Sequence, residues 1–477
     1  MFQSEYGVLG LIFDTLDGPK IVETDGQLKF SDQELQSIKS CAFPDSLIQN
    51  QKEHLLFVYK VSNYFCHCIF STRPDSTAPR GHIQISYVVA TSLPYIYPFT
   101  RLLESSLQII SLPIHEVIGC LVNFLKKWSA LSRELDLISE DPHDLPMFDG
   151  SLVLRIPNDD QMLLINGGIG WNPLCSIYYL NNYFLDFDLS ETLSFKNFCS
   201  LHYSQYFLRL WEISILEESL LVVAPSPQSS SSAVLSIASM SFYNSNQSTP
   251  TNIQPFVAVS DKRFQTLASN PNKTIIGVSN PIAMRYASNF DEVFNLTLSF
   301  DAPGQKNEKS PLLHTYGRFK LIESFSSTEL RHFAFENTQK VANAIENSLN
   351  HLRGCNPYAH LMGQMPTNIL VDSLQASNAY FTSNINEFAQ KLLRSSFYVN
   401  IWRKSRMIEA FQDAVQNFEV GKICVGRSEH ELVDLYSLIE EVRKMFKGPP
   451  FLIKKIKEDL ETVAIYLSPD LKLAPSN

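Results

Sequence analysis

Long apolar runs are missing from this 477-residue chain: the longest, such as Leu220 to Ala224, fall far short of the roughly 20 residues a membrane-spanning helix needs. The N-terminus, Met-Phe-Gln-Ser-Glu, has neither a cationic start nor a long apolar core, so no signal peptide is expected. Positive charge is also short. Lys plus Arg number 39 against 49 Asp plus Glu, a net charge of -10. Without a long basic stripe such a chain is a poor nucleic-acid binder, because phosphate contacts dominate that affinity; Arg394 to Arg406 is the best local basic candidate. Eight cysteines (41, 66, 68, 120, 175, 199, 355 and 424) are scattered, several of them inside apolar runs. They read as buried thiols of a reducing compartment and not as a disulfide framework, which predicts a cytoplasmic protein. The sequons at Asn246, Asn272 and Asn295 are then accidental.

Catalytic signatures are missing as well. The chain has no Gly-x-Ser-x-Gly elbow, no His-Glu-x-x-His, no P-loop and no Cys-x-x-Cys pair. Asn166-Gly-Gly-Ile-Gly170 is the nearest approach to a phosphate loop, but it lacks a strand-to-helix context and reads as an ordinary turn. Cys66-His67-Cys68 resembles a metal cluster in composition only. On a strand, alternate residues face opposite sides, so His67 should point away from both cysteines. No second cluster completes a tetrahedral zinc site. No catalytic residue, metal or cofactor is therefore expected.

What is present is a globular composition, 44% hydrophobic and 18% charged, long enough for two or three domains. Val8 to Phe13 is a strand, Asp14 to Pro19 a turn, and Ile21-Val22 the start of a return strand. Ser31-Asp-Gln-Glu34 matches a capping box for a short helix. Leu55 to Val61 and Tyr64 to Phe70 form a hairpin across Ser62-Asn63, and Ile83 to Ala90 is a further strand. Helices are predicted near 99–110 and 115–137, which together describe an antiparallel α/β module. Ser139 to Pro146, polar and proline-broken, reads as a linker. A βαβα rhythm follows: strand 152–156, helix 206–217, strand 220–224, helix 229–240, strands 255–259 and 274–278. It predicts a mostly parallel sheet covered on both faces, with a polar loop at 243–252. Beyond about Ser324 the periodicity is helical, over 328–352, 382–393, 402–418, 430–446 and 453–467, with Gly448-Pro-Pro450 dividing the last two.

Several segments resemble the DENN family, in particular its subfamily numbered six. Pro79-Arg-Gly-His-Ile-Gln-Ile-Ser-Tyr87 leading into Ser92-Leu-Pro-Tyr95 is similar to its "RGYxQKS…LPY" run. Ser151 to Pro157 resembles the strand opening its central lobe. The most specific match is Leu210-Trp-Glu-Ile-Ser-Ile-Leu-Glu-Glu-Ser-Leu-Leu-Val-Val-Ala-Pro-Ser-Pro227, which is similar to "LWELxLLGEPLVVxAPSP" with Glu218-Ser219 where Glu-Pro is usual. Pro255-Phe-Val resembles "RPYFTI", Ile276-Gly-Val-Ser-Asn-Pro281 resembles "LGVTNPF", and Tyr398 to Arg406 is like "FxxWFKxRR". Leu460 to Leu471 resembles the closing helix. The matches keep the family's order, although 302–313 is short and 354–388 matches poorly.

The resemblance implies a longin-like module at 1–138, a central α/β DENN lobe at 150–305 and an all-helical lobe at 320–477. It also implies a guanine-nucleotide exchange factor that binds a GDP-bound or nucleotide-free Rab GTPase in the groove between the first two modules. Recruitment to endosomal or other trafficking membranes is then expected through partners. Within that groove the chosen residues are Arg80 and Gly81 in one turn and Pro225, Ser226 and Pro227 in one loop, both at strand ends where binding residues collect. Trp211 is expected in the core and Glu212 in a structural hydrogen bond, and Arg403-Lys404-Arg406 on a solvated helix face. Two alternatives are a GTPase-activating protein with Arg80 as an arginine finger, as in folliculin-like relatives, and a non-catalytic Rab effector or scaffold.

Overall fold

In the computed structural model, residues 6–44, 54–76, 81–92, 96–134, 142–155, 204–240, 252–296, 327–405, 413–446 and 449–467 are described. The chain divides into two compact units, Met1–Glu336 and Asn337–Asn477. The first is mixed α/β and the second helical.

The first unit opens with a five-stranded antiparallel sheet of order β2-β1-β5-β4-β3, formed by β1 (Tyr6–Asp14), β2 (Gly18–Gly26), β3 (His54–Val61), β4 (Tyr64–Pro74) and β5 (His82–Thr91). Helix α1 (Asp32–Ala42) begins at the Ser31 capping box, in which Ser31 Oγ accepts from Glu34 N–H and the Glu34 carboxylate accepts from Ser31 N–H. α1 covers one face, over Leu9, Leu11, Cys66 and Cys68. α2 (Ile96–Ser105) and α3 (Ile114–Glu134) cover the other, over Val8, Ile69, Tyr87 and Val89. Burial on both faces is why these strands read as unbroken apolar runs although the sheet is antiparallel. Gly10 lets α3 approach closely, since a Cβ there would lie 2.4 Å from Ile114 Cγ2.

The stretch read as a linker is in part a strand. β6 (Pro142–Met147) pairs antiparallel with β7 (Gly150–Arg155), and Trp128 Nε1–H donates to the Pro146 carbonyl at 3.0 Å. Prolines fit there because β6 pairs on one side only, so some of its N–H groups need no ladder partner.

The second sheet of this unit is wholly parallel, of order β11-β8-β10-β9. α4 (Ser204–Leu216) leads into β8 (Leu220–Val223), and α5 (Pro227–Ser239) crosses to β9 (Asn252–Gln254). α6 (Lys262–Ser269) returns to β10 (Thr274–Val278), and a 3-10 helix (Pro281–Asn289) leads to β11 (Glu292–Asn295). The expected strand at 255–259 is instead β9 at 252–254. Pro255 has no N–H with which to extend the ladder, and beyond it Val257 N–H still reaches the Gly277 carbonyl at 2.8 Å. α5 is rich in serine and alanine and packs on both β3 and β10. Its small side chains permit that fit: a Cβ on Gly277 would meet Ser230 Oγ at 2.2 Å and the Pro255 carbonyl oxygen at 2.3 Å.

The second unit contains the C-terminal part of α7 (Ser327–Cys355), then α8 (Pro357–Met362), α9 (Thr367–Ala376), α10 (Ile385–Leu392), α11 (Ser396–Ser405), α12 (Val420–Cys424), α13 (Glu429–Met445) and α14 (Pro450–Tyr466). Three helices are additional to those expected (α8, α9 and α12); of the helix expected at 402–418, residues 402–405 belong to α11 and 413–416 are helical, while 406–412 lie outside the described residues. The buried Asp459 carboxylate accepts from Tyr358 Oη at 2.6 Å and from Lys455 Nζ, which also donates to the Phe418 carbonyl at 3.0 Å.

Candidate docking surface

The parallel sheet has two differently built edges. At its N-terminal edge the long motif around Trp211 is structural. Trp211 and Glu212 are fully buried. Arg209, on α4, gathers three carboxylates: Glu218 at 2.6 Å, Glu292 at 3.3 Å and Glu212 at 3.6 Å. Lys273 pairs with buried Glu217 at 2.9 Å. Ser219 explains its own presence where proline is usual in the resembled family. Its N–H and Oγ–H donate to the Asp291 carboxylate at 2.8 and 2.7 Å, and its Oγ accepts from Asp291 N–H. A proline would supply neither donor.

The C-terminal edge is arranged differently. β8 leads into α5 on one face of the sheet, whereas neighbouring β10 leads into the 3-10 helix, which packs with α6 against Leu221, Val223, Ile276 and Val278 on the other. Adjacent strands whose connections diverge to opposite faces leave a crevice at their carboxyl ends, the usual ligand position in open α/β sheets. Two loops border it. Pro225-Ser226-Pro227 ends in the cap of α5, where Ser226 Oγ accepts from Ser229 N–H at 3.1 Å and Pro227 opens the helix. Ser279-Asn280-Pro281 repeats the device, Asn280 Oδ1 accepting from Ile282 N–H at 3.0 Å. Ala224 N–H donates to the Val278 carbonyl, tying the two loops at their bases. Beyond the second loop the 3-10 helix presents Ile282 and Met284, 49% and 38% exposed, beside exposed Arg285.

Of the sequence-chosen residues that are described, Pro225, Ser226 and Pro227 border this edge, and Gly81 belongs to a turn of the antiparallel sheet. Pro225 and Ser226 are half-buried and Pro227 is buried. Gly81 is exposed at positive φ in the β4–β5 turn, where Asp75 N–H donates to its carbonyl. Strand register puts that turn at the opposite end of the antiparallel sheet from the Ser62-Asn63 turn. Arg80 and the 166–170 glycines lie outside the described residues, as does most of the 243–252 loop. Arg403 is exposed, while the side chains of Lys404 and Arg406 lie outside the described set. Sequence reading passed over Ile282 and Met284; the signal was two large apolar residues directly after a capped Asn-Pro start.

A second cluster joins the two sheets. The buried Asp261 carboxylate caps α6 and accepts from Arg263 Nε at 2.9 Å and from Arg263 NH2 at 2.6 Å. Arg263 NH1 donates to the Lys60 carbonyl at 2.8 Å. Ser37 Oγ and Cys41 Sγ of α1 also donate to Asp261, and Phe57 of β3 meets Phe256 edge to face at 5.5 Å. Burial pushes the Asp261 carboxyl up, but the Arg263 bonds and charge prevail and hold it below its ordinary value. Burial, reinforced by Asp261, raises the Cys41 thiol to about 12, so it is an inert packing group.

Cys66 and Cys68 face α1, while His67 faces α2, its Nδ1 3.0 Å from Thr100 Oγ1 and its ring against Phe99. The alternation expected of that strand holds, and no metal-binding group of His, Cys, Asp and Glu occurs among the described residues. Nor is any described helix long and apolar enough to cross a membrane.

No family model matches the chain. It is 25% identical to DENND6B of Mus musculus over 313 residues, 60% of this chain and 48% of that protein. DENND6A of Gallus gallus is 25% identical over 259 residues, covering 52% and 41%, and DENND6B of Homo sapiens 24% over 313 residues, covering 60% and 48%. Its curated homologues are DENND6 proteins, of the sixth DENN-domain subfamily. The chain spans about half the length of the DENND6 relatives it matches. The resemblance seen in the ordered motifs is thus a resemblance to DENND6 proteins in measured identity.

Proposed function

We propose that this chain is a guanine-nucleotide exchange factor for a Rab-type small GTPase. The single observation that carries the reading is its similarity to DENND6 proteins over some 60% of its length. In this reading residues 1–138 are the longin-like module, 150–305 the central DENN lobe and 320–477 the helical lobe, and the partner is a GDP-bound or nucleotide-free Rab at trafficking membranes, endosomes among them. Exchange needs no acid, base or nucleophile. A protein that binds the open, nucleotide-free GTPase preferentially draws the switch loops off the phosphates and magnesium. A thousandfold acceleration needs only about 4 kcal/mol of such preference.

The contact we assign is the C-terminal edge of the parallel sheet, with Ile282 and Met284 as apolar anchors and Arg285, Pro225 and Ser226 at the polar rim. Release of a fluorescent GDP analogue from a panel of Rabs tests the proposal. Strong acceleration of one or two members is expected. Acceleration of none, where a control exchange factor works, would defeat it. Enhanced hydrolysis of GTP-loaded Rab in the same panel, abolished by Arg80→Ala, would instead support the arginine-finger alternative.

A further inference from the structure

From Arg443 to Lys457 the sequence has six basic residues and no acidic one, in a chain with ten more acidic than basic residues. The segment comprises the end of α13 and the start of α14, two helices that pack together. These two helix ends expose two large apolar side chains. Met445 is 61% exposed at the last position of α13 and Phe451 is 50% exposed near the start of α14. Arg443, Lys444 and Lys454 are exposed within three residues of one or the other, and Lys457 is exposed further along α14; Lys447 and Gly448 lie outside the described residues.

Neighbouring carboxylates neutralise only part of this charge. Glu440, one helical turn back, holds Arg443 at 2.6 Å and lies 3.8 Å from Lys444, and Glu458 lies 3.6 Å from Lys454. Exposed Glu441 stands beside Glu440, and Glu458 directly follows Lys457; the described residues nearest the junction, 443–446 and 449–454, include no carboxylate. Lys455 differs: it points inward to buried Asp459 and belongs to the core.

We infer that the adjoining ends of α13 and α14 form a peripheral membrane contact for anionic phospholipid. Its Lys and Arg side chains sit at the headgroups, and Met445 and Phe451 dip into the acyl boundary. Exposed apolar side chains flanked by cations suit an interface with apolar depth and negative surface charge. This inference is independent of the exchange activity and adds a direct lipid contact to recruitment through partners.

The test uses the full chain and two vesicle preparations, phosphatidylcholine alone and phosphatidylcholine mixed with phosphatidylserine, in a co-sedimentation assay. Binding to the serine-containing vesicles, weakening as salt is raised, is the expected result. Met445→Ser with Phe451→Ser, and separately Lys454→Glu with Lys457→Glu, should each weaken it at least about tenfold. All four positions are exposed, so thermal unfolding should stay within a degree or two of the parent, about the range for surface changes. Absence of binding to serine-containing vesicles, or unchanged binding by either folded variant, would overturn the inference. Attraction to an acidic protein in place of lipid would appear as the first of these.

Discussion

Replacing Arg263 with alanine should destabilise the first unit by about 2–4 kcal/mol. The guanidinium makes two bonds to the Asp261 carboxylate and one to the Lys60 carbonyl, and it is the cation closest to a carboxylate that is only 2% exposed. Breaking a buried pair from one side costs about 3–5 kcal/mol, because the remaining charge is stranded. Arg263 is 27% exposed, so water screens part of that loss and lowers it to about 2–4 kcal/mol. Urea unfolding followed by tryptophan fluorescence reads the result, since Trp128 and Trp211 are both buried in this unit. The double variant Arg263→Met with Asp261→Asn removes both charges and should recover at least half of the loss. Acid gives an independent check. The Asp261 carboxyl is held below its ordinary value, so its contribution is complete above the unfolded carboxyl value of about 3.9 and disappears as pH falls through the folded value. The deficit of Arg263→Ala should therefore shrink in strong acid. A single-variant loss under about 1 kcal/mol, or a double variant equal to the sum of both singles, would refute the reasoning.

Three further perturbations follow from the packing. Gly277→Ala should cost about 3 kcal/mol in urea unfolding, because the added carbon strikes the Pro255 carbonyl as well as Ser230. Tyr358→Phe should cost about 1–3 kcal/mol in the second unit, through the lost 2.6 Å bond to buried Asp459. Burial holds the His67 ring down to about 3, against 6.5 ordinarily, so the unfolded chain takes up a proton first and stability falls as pH drops from 6.5 towards 3. His67→Phe should flatten that part of the stability–pH curve, and an unaltered slope would count against a neutral buried ring.

Local chemistry made much of the fold legible. The Ser31 capping box, the Ser62-Asn63 turn and the buried runs at 220–223 and 274–278 each carry a short-range signal that agrees with the tertiary outcome. β6 was not legible, because Pro142 and Pro146 signal a linker until it is known that one side of the strand is unpaired. The short helices α8, α9 and α12 escaped for a related reason: they span at most three turns, too few for periodicity to emerge. The candidate site was half legible. Pro225-Ser226-Pro227 stood out as punctuation after a strand, but its place beside Ser279-Asn280-Pro281 depends on strand order, which no local pattern encodes. Ile282 and Met284 carry no local signal of exposure, since apolar residues are usually core, and only their accessibility marks them as a surface.

The central claim is that the edge bearing Ile282 and Met284 drives nucleotide release. Its most direct test is GDP-analogue release from the responding Rab with the parent chain and with Ile282→Glu, Met284→Glu. We predict that acceleration falls at least about thirtyfold, the scale of losing one interfacial hot spot, while the unfolding midpoint is unchanged. Acceleration undiminished in the folded variant would contradict the account and place the exchange surface elsewhere.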